Sequence, residues 1–520
     1  MSAPSHYLII TYPSWAHIRS LIGLTTSLLE LNAELLVTML VPSNRAAAAT
    51  LEMRQYPAVK NPARWRIIHY GEKAEEAVLV NPPGGYVVKC LNELAPLVES
   101  ISDLQPVLDP VTEEHLSPHQ TPFTIIITDG TLRTFGFAIA DYLSREQPEI
   151  RRVPVFGFLP YNTALPAVMF LDKYSQLSQR LAVVVEEKEP GKRRALYDEL
   201  TGCNSDVISL PGLSDFYYYE TDIVPHASPF PILDRWVSVV KQVPEGFDGI
   251  IMGWPYIFGE ALQVDLEERH GKFLQVGPQL PPIVQDEWKI ETKQGDTKAY
   301  LDNALQNLGP RSVLYISFGS ATYAPTHEQL EILLFVLEEL QLHYIITEGQ
   351  CRPEDKQALL DRVGKGNDKG LFVPWAPQRA VLSHPAINLF LTHGGSNSTM
   401  ESILFKVPMI TWPAGFDQPY IANELDHLGV AVEILQTRGG GSIGRPVARN
   451  GTIVEGTAAA IEAEMKRLLG DTQLHERLRT RIQEVSGRVK ENRASGESGE
   501  AVKRIAKIDQ EWASDRAARG

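Results

Sequence analysis

Cysteine is scarce in this sequence, and long apolar runs are missing. Three cysteines, Cys90, Cys203 and Cys351, lie far apart among 520 residues. Their odd number and wide spacing fit neither a disulfide framework nor a zinc site, so a reducing compartment is expected. The first residues lack the basic and apolar segments of a signal peptide, and no run of about 18 apolar residues could span a membrane. These absences predict a cytoplasmic chain without a membrane span.

Basic residues are outnumbered as well. The chain carries 49 lysines and arginines against 64 aspartates and glutamates, a formal net charge of -15. Nucleic-acid binding is therefore not expected, because a basic face supplies most of its affinity. A local anion site made of backbone N–H groups is still compatible with this charge. The length and the 43% of hydrophobic residues indicate a globular chain of two or three domains.

The first residues have the pattern of a parallel α/β unit. Residues 6–12 and 34–41 are predicted strands, with leucines at helical spacing between them. Such a strand–helix–strand succession is typical of a βαβ unit and hence of a parallel sheet. Residues 277–299 contain prolines and many polar residues, which predicts a linker, and an apolar strand after it opens a second α/β domain. The expected division is an N-terminal domain over residues 1–276 and a second domain from residue 300.

The most informative segment is a glycine turn between a predicted strand, 387–391, and a predicted helix that starts at Asn397. The turn reads Thr-His-Gly-Gly-Ser. A helix start presents N–H groups and the positive end of the helix dipole, which suit a phosphate, and glycine allows its close approach. His393 and Ser398 would add side-chain donors. An alternative stays open, because Ser398 and Glu401 also have the spacing of a helix capping box.

Residues on either side of this turn could bind the rest of a nucleotide sugar. Trp375 lies in a proline-flanked loop before the strand, where its ring could stack on a base. Core packing is the favoured explanation of a lone tryptophan at such a position. Asp417 and Gln418 follow the next predicted strand, and open α/β sheets bind ligands at the carboxyl ends of strands. We therefore expect Asp417 and Gln418 to hold sugar hydroxyls and Glu401 to hold those of a ribose.

Taken together, these residues resemble the signature of the UDP-glycosyltransferases. The shared pattern is W-A-P-Q at 375–378, H-G-G-S-N-S-T-M-E at 393–401 and D-Q at 417–418. Ser396 stands where plant members usually have tryptophan, and Asn423 lies later than the family's usual asparagine. The resemblance implies an α/β chain with a GT-B fold, in which two Rossmann-like parallel-sheet domains face each other across a cleft.

The resemblance also implies which residues bind the donor. The positions carried over from the family are Ser320, Trp375, Ala376, Gln378, His393, Gly395, Ser396, Asn397, Ser398, Glu401, Asp417 and Gln418. They would lie in a C-terminal UDP-sugar-binding domain over residues 300–490, and residues 491–520 would form a helix that crosses back to the N-terminal, acceptor-binding domain. A UDP-sugar, with glucose as the expected sugar, would be the co-substrate, and no other cofactor is implied.

Two residues of the N-terminal half match the family's catalytic pair. His17 follows the first predicted strand, and Asp129 follows a predicted strand over 123–128. A histidine with an ordinary pKa near 6.5 suits the removal of a proton from an acceptor hydroxyl, and a carboxylate can orient its ring. The transfer would invert the anomeric centre and form a β-glycoside without a metal, since no D-x-D motif is present. The alternatives are that His17 caps a turn and that Asp129 caps the following helix.

Other functions are compatible with parts of this pattern. A dinucleotide-dependent oxidoreductase would need G-x-G-x-x-G after the first strand, where this sequence has no glycine. A sugar-nucleotide epimerase on the same fold and a non-catalytic UDP-sugar binder remain as alternatives. The expected acceptor is a small, hydrophobic molecule with a hydroxyl group, phenolic, terpenoid or lipid-like, in a pocket formed by residues 80–100 and 161–245. Packing is favoured for Tyr217–Tyr219, and the chain is expected to be a monomer.

Overall fold

Two parallel β-sheets form the framework of the protein. The structure is a computed structural model, and it describes residues 5–56, 63–71, 84–146, 152–202, 204–221, 246–281, 288, 296–319, 325–349, 351–363 and 369–519. The strands in these ranges are β1 (His6–Ile10), β2 (Leu36–Pro42), β3 (Trp65–Tyr70), β4 (Val107–Leu108), β5 (His115–Leu116), β6 (Ile125–Asp129), β7 (Val155–Leu159), β8 (Val207–Ile208), β9 (Phe216–Tyr217), β10 (Gly249–Met252), β11 (Phe273–Gln275), β12 (Val313–Ser317), β13 (His343–Thr347), β14 (Gly370–Val373), β15 (Ile387–Thr392), β16 (Met409–Thr411) and β17 (Ala431–Glu433).

The first sheet has seven parallel strands in the order β11-β10-β7-β6-β1-β2-β3. Strands β1 and β7 inside this sheet are buried along their whole length. Parallel sheets have this property because helices cover both of their faces. The chain order reverses between β1 and β6, with β2 and β3 on one side and β7, β10 and β11 on the other. Open α/β sheets form ligand sites at such reversals.

The second sheet repeats this plan with six parallel strands in the order β14-β13-β12-β15-β16-β17. Its reversal lies between β12 and β15. The strand predicted over 387–391 is confirmed as β15, which extends by one residue to Thr392. The Thr-His-Gly-Gly-Ser turn therefore begins at the reversal point of this sheet.

Helices connect the strands, as parallel pairing requires. They are α1 (Trp15–Leu31), α2 (Ala46–Met53), α3 (Gly84–Ser102), α4 (Arg133–Glu146), α5 (Ala164–Phe170), α6 (Leu177–Glu186), α7 (Pro190–Tyr197), α8 (Tyr256–His270), α9 (Asp296–Leu308), α10 (His327–Glu339), α11 (Pro353–Val363), α12 (Gln378–Ser383), α13 (Ser396–Phe405), α14 (Gln418–His427), α15 (Ala458–Gly470), α16 (Thr472–Ser495), α17 (Glu497–Ile505) and α18 (Ile508–Arg519). Among the residues that the structure describes, no helix combines the length and the apolar character needed to cross a membrane.

The chain divides into two compact units, each assembled from separate stretches. The first comprises Met1–Thr163, Ser238–Pro282 and Glu491–Gly520, and the second comprises Ala164–Val237 and Ile283–Lys490. The first sheet lies in the first unit and the second sheet in the second. The predicted domain bounds of 1–276, 277–299, 300–490 and 491–520 stay a prediction, because compactness alone does not define a part that folds by itself.

The last helices belong to the hydrophobic core of the first unit. Ile505 and Ile508 are buried in the same core as Tyr7 of β1. The Tyr7 hydroxyl donates to the Ile505 carbonyl at 2.8 Å, and the Asn32 side-chain amide donates to the Ala506 carbonyl, also at 2.8 Å. These donors satisfy carbonyls at the end of α17, which no helical N–H group can reach. These contacts join the end of α17 to β1 and to the end of α1.

A buried histidine pair lies at the start of β1. His6 lies in contact with the ring of His119, with ring centroids 5.0 Å apart. His6 donates from Nδ1 to the Thr121 carbonyl and accepts at Nε2 from the Thr38 hydroxyl, so its neutral form fits the site. Burial lowers the pKa of His6 to about 4, and burial together with Arg66 lowers the pKa of His119 to about 4.

We expect the free energy of unfolding to fall as the pH is lowered from 6.5 to 4. The folded pKa lies below the unfolded value, so this contribution is present above pH 6.5 and is lost as protons bind preferentially to the unfolded chain. For His6 the loss is on the order of 3 kcal/mol at pH 4. Urea unfolding followed across this range measures it. His6→Gln should flatten the profile, and a variant profile parallel to that of the wild type would contradict the assignment.

Candidate active site

The turns that follow β12 and β15 lie side by side at the reversal point of the second sheet. Ser317 at the end of β12 is in register with Thr392 at the end of β15. The β12 turn contains Gly319, and the β15 turn contains His393 and Gly395. Both turns therefore meet at the carboxyl edge of the sheet, where an open α/β fold binds its ligand.

The imidazole of His393 is enclosed by these two glycine-containing turns. A Cβ atom at Gly319 would lie 2.5 Å from His393 Cε1 and Nε2, and one at Gly395 would come closer still to Nε2. Gly319 also has a φ of 79°, which a larger residue adopts at a cost. Burial lowers the pKa of His393 to about 4, and a hydrogen bond to the backbone of Ser317 opposes this only in part. An anion bound beside the ring would raise this pKa.

We expect Gly395→Ala to weaken UDP binding by about ten- to a hundredfold. The added methyl group would displace the His393 ring, and a lost hydrogen bond to a charged group is worth ~1.5–3 kcal/mol. The φ of -66° at Gly395 suits alanine, so the melting temperature should change little. Titration calorimetry with UDP measures the effect. Gly439→Ala in the same unit is the matched control, since an added Cβ there meets nothing within 4 Å. Equal UDP affinity in the two variants would contradict this role.

Helix α13 begins at the glycine turn without a capping side chain. Its N-cap residue is Gly395, in extended conformation, which has no side chain to cap the first turn. The capping-box interpretation of Ser398 and Glu401 is wrong, because Ser398 lies inside the first turn and the Glu401 side chain bonds to Gln378 instead. An uncapped helix start that follows a strand at a sheet reversal suits an anionic ligand.

Gln378 joins the buried polar groups of this site. Its Nε2 donates to Glu401 Oε2 at 2.6 Å and to Ser398 Oγ at 3.1 Å, and the Tyr315 hydroxyl donates to its Oε1 at 3.4 Å. Glu401 is fully buried, with Arg379 Nε 3.9 Å from its second oxygen. Buried carboxylates need such partners, because an unpaired charge is costly away from water. Three residues predicted to bind the donor are thereby brought into direct contact.

Trp375 differs from the residue beside it in being open to solvent. It is 55% exposed, whereas the neighbouring Ala376 is 4% exposed. The core-packing interpretation of Trp375 is therefore wrong. An exposed indole face is suited to stacking on a planar base, which needs an accessible ring and no hydrogen-bond partner.

Asp417 and Gln418 follow β16, the strand next to β15, at the start of α14. The turn before them is strained, with a φ of 60° at Phe416 and 149° at Gly415. Gln418 is buried, and its Oε1 accepts a hydrogen bond from the Ala414 backbone at 2.7 Å. A Cβ at Gly394 would lie 3.8 Å from the Gln418 carbonyl, so this turn adjoins the His393 turn. Of the predicted donor-binding residues, Ser320 lies outside the described residues.

A histidine–aspartate pair occupies the reversal point of the first sheet. His17, in the first turn of α1 after β1, donates from Nδ1 to Asp129 Oδ2 at 2.6 Å. Asp129 ends β6 and is fully buried, and its Oδ1 accepts from the Thr131 backbone and hydroxyl at 3.0 and 2.6 Å. Asp129 therefore caps a short helical turn over Gly130–Leu132 and also orients His17. With Nδ1 engaged, Nε2 is the ring nitrogen that can take up a proton.

Two tyrosines flank this imidazole, and sequence reasoning did not find them. The ring centroids of Tyr12 and Tyr161 lie 5.4 and 5.7 Å from that of His17. Both follow strands of the first sheet, β1 and β7, and both are partly exposed. Their common position at strand ends is the signal that could have indicated them. The packing interpretation of Tyr217–Tyr219 is confirmed for Tyr218 and Tyr219, which are each 5% exposed.

Each sheet thus presents polar side chains at its own reversal point, as expected for an α/β protein of the GT-B class. Comparisons with known proteins agree with this class. The chain superposes on a crystal structure described as UDP-glucose:anthocyanidin 3-O-glucosyltransferase in complex with UDP, with a TM-score of 0.67 and 18% identity, over 98% of this chain and 100% of that one. At this identity the likeness establishes the fold, which is GT-B.

Sequence comparisons show which proteins part of the chain resembles. The family model described as UDP-glucoronosyl and UDP-glucosyl transferase matches residues 279–438. UDP-glycosyltransferase eriJ from Hericium erinaceus is 30% identical over 277 residues, 51% of this chain and 54% of its own length. UDP-glycosyltransferase 89B2 from Stevia rebaudiana is 28% identical over 280 residues, 51% and 55% of the two chains. The chain thus spans about half the length of the curated relatives it matches. The match to the UDP-glucoronosyl and UDP-glucosyl transferase model lies within the second half of the chain.

Proposed function

We propose that the protein is an inverting glycosyltransferase that moves a hexose, glucose first among the candidates, from a UDP-sugar to a hydroxyl of a small hydrophobic acceptor. The observation that carries this proposal is the arrangement at the second sheet, where His393 adjoins an uncapped helix start and Gln378 bonds both Ser398 and Glu401. The His17–Asp129 pair at the first sheet supplies a general base. A transferase needs such a base, whereas a non-catalytic binder does not.

The donor side of the proposed site would bind each part of UDP-glucose with a different kind of group. The exposed ring of Trp375 stacks on uracil, and the carboxylate of Glu401 accepts from ribose hydroxyls. The diphosphate lies against the start of α13 and His393, with Asn397 and Ser398 as further donors. Asp417 and Gln418 hold the sugar. Because the N–H groups and the imidazole are already in place, they stabilise the charge that develops on the leaving diphosphate without reorganisation.

The acceptor side supplies the base. His17 Nε2 takes the proton of the acceptor hydroxyl, while the oxygen forms a bond to the anomeric carbon and the bond from that carbon to the diphosphate oxygen breaks. Asp129 accepts the Nδ1 hydrogen bond, holds the ring and stabilises the imidazolium that forms. Attack opposite the leaving group inverts an α-linked donor and yields a β-glycoside. No metal or further cofactor is invoked, and we propose a cytoplasmic monomer with acceptor binding in residues 1–276 and donor binding in residues 300–490.

The first experiment is to incubate the protein with UDP-glucose, EDTA and a panel of phenolic, terpenoid and lipid-like alcohols. UDP release and the mass of each product are followed. A product heavier by one hexose supports the proposal, and a β-anomeric proton coupling in its NMR spectrum supports inversion. A reaction that stops in EDTA and recovers with a divalent cation would overturn the metal-free part.

The same assay separates the two alternatives. A sugar-nucleotide epimerase would convert UDP-glucose into a second UDP-sugar or release its sugar without any acceptor, which NMR of the donor alone detects. A non-catalytic binder would bind UDP-glucose by calorimetry and transfer nothing to any acceptor from any UDP-sugar. Absence of binding by every UDP-sugar would overturn the donor site itself.

A further inference from the structure

Asn423 departs from the family pattern, and the structure shows what it contacts. It lies in α14, the helix that begins with Gln418, and is 3% exposed. Its Oδ1 accepts from the Ser214 N–H at 2.9 Å, and its Nδ2 donates to the Ser214 carbonyl at 3.0 Å. One side-chain amide thus satisfies both backbone groups of a residue 209 positions away.

Further contacts follow the same face of α14. The ring of Phe216 meets that of Tyr420 edge to face, with centroids 5.6 Å apart and an interplanar angle of 83°. The Ser214 hydroxyl lies 3.4 Å from His427 Nδ1. Positions 420, 423 and 427 have the spacing of one helix face. Ser214 and Phe216 therefore contact one face of α14 between Tyr420 and His427, and we name the segment of residues 214–220 the brace.

The far end of the brace is held by buried charges. Glu220 Oε2 accepts from Arg438 at 2.8 Å, and its Oε1 accepts from the Ala448 backbone at 2.8 Å. Arg438 also makes a two-bond contact with Glu433, at 2.7 and 2.9 Å. Burial raises the pKa of Glu433, but Arg438 and Arg449 outweigh this and lower it to about 2. A fully ionised, paired network of this kind gives the brace a defined place in the second unit.

The start of α14 needs neighbouring residues to hold it in place. It follows the strained turn at Gly415 and Phe416, and Gln418 bonds within that same turn to Ala414. Strained backbone persists only where the surrounding structure holds it. We propose that Asn423 is a positioning residue for the transferase: by clamping α14 to the brace, it sets the place of Asp417 and Gln418 against the donor sugar. This inference rests on the proposed function.

The proposal makes a specific distinction between the two parts of the donor. The UDP part would contact Trp375, Glu401 and His393, none of which lies on α14. The sugar would contact Asp417 and Gln418 at the start of that helix. Loosening the clamp should therefore weaken recognition of the sugar and spare that of UDP. A residue that only stabilises the fold would affect both parts equally.

The test compares UDP and UDP-glucose binding in Asn423→Ala. We expect the Kd for UDP to stay within about twofold of the wild-type value, and that for UDP-glucose to rise about tenfold relative to it. Selectivity for glucose over other UDP-hexoses in kcat/KM should fall as well. Phe216→Leu loosens the brace from the other side and should shift the same ratio less. Ile461→Ala, in the core of the same unit on α15, is the control for lost stability and should leave the ratio unchanged.

Two results would overturn the inference: an unchanged ratio in Asn423→Ala, or the same change in Ile461→Ala. Hydrogen exchange of the backbone amides over residues 420–424 provides a readout that needs no substrate, and Asn423→Ala should accelerate it at the start of α14. If the wild-type chain binds no UDP-sugar, the proposed function fails. The exchange result then decides alone whether Asn423 holds this helix, and unchanged exchange would refute the clamp.

Discussion

Replacing His17 with alanine is expected to lower kcat for glycosyl transfer by about two to four orders of magnitude, the usual contribution of a positioned general base. The Kd for UDP should not change, because the residues proposed to bind it lie in the second unit. The imidazole accepts the hydroxyl proton at Nε2 only while Asp129 holds Nδ1, so Asp129→Asn should also lower kcat. Single-turnover product formation with saturating UDP-glucose measures the chemical step.

The first unit offers a matched control for this prediction. His69 donates from Nδ1 to the buried Asp109 at 2.8 Å, the same kind of pair as His17 with Asp129. Asp109 also accepts from the backbone of Val111 and Thr112, so this pair fastens a loop to β3, away from the reversal between β1 and β6. His69→Ala should cost stability and retain kcat. A similar loss of kcat in both variants would show that His17 acts through the fold and not as a base.

Replacing Trp375 with alanine is expected to weaken UDP binding by about 5- to 150-fold, since stacking of an aromatic ring on a base is worth ~1–3 kcal/mol. The side chain is 55% exposed, so the melting temperature should change little. Trp375→Phe should retain part of the affinity, because phenylalanine keeps a smaller stacking face. Calorimetric titration with UDP and with uridine measures the loss, which should be similar for both ligands.

An exposed aromatic residue elsewhere in the second unit serves as the control. Phe335 is 45% exposed and packs under the ammonium group of Lys466, with 5.3 Å between the nitrogen and the ring centroid. Phe335→Ala should leave UDP affinity unchanged. If Trp375→Ala bound UDP like the wild type, the stacking role and the donor orientation derived from it would be wrong.

Much of the fold could be predicted because its signals are local. Runs of apolar residues at 343–347 and 387–391 predict buried strands, and burial on both faces is what parallel strands need. Helix α10 begins with a capping box, in which Thr326 and Gln329 exchange hydrogen bonds, and such a box depends on residues three positions apart. The donor motif could be read for the same reason, since its turn, helix and flanking loops are contiguous in the chain.

The capping-box interpretation at α13 failed because two local signals competed there. Ser398 and Glu401 have the spacing of a cap, but the helix begins at the glycine turn, before Ser398. The Glu401 side chain does not take part in a cap, because it accepts a hydrogen bond from Gln378 of another helix, α12. Similarly, nothing local distinguishes an exposed Trp375 from a buried one, since exposure depends on what packs beside the loop.

The two α/β patterns, the glycine turn and the chemical types of the candidate residues could be recognised in the sequence, because each arises within a few neighbouring positions. Which of these residues meet depends on the folded chain. His17 and Asp129 are 112 residues apart, and Asn423 and Ser214 are 209 apart. They come together because the order of strands in each sheet, and the packing of the brace on α14, join distant parts of the chain. Such pairings depend on how buried surfaces fit one another, which no short stretch of sequence contains.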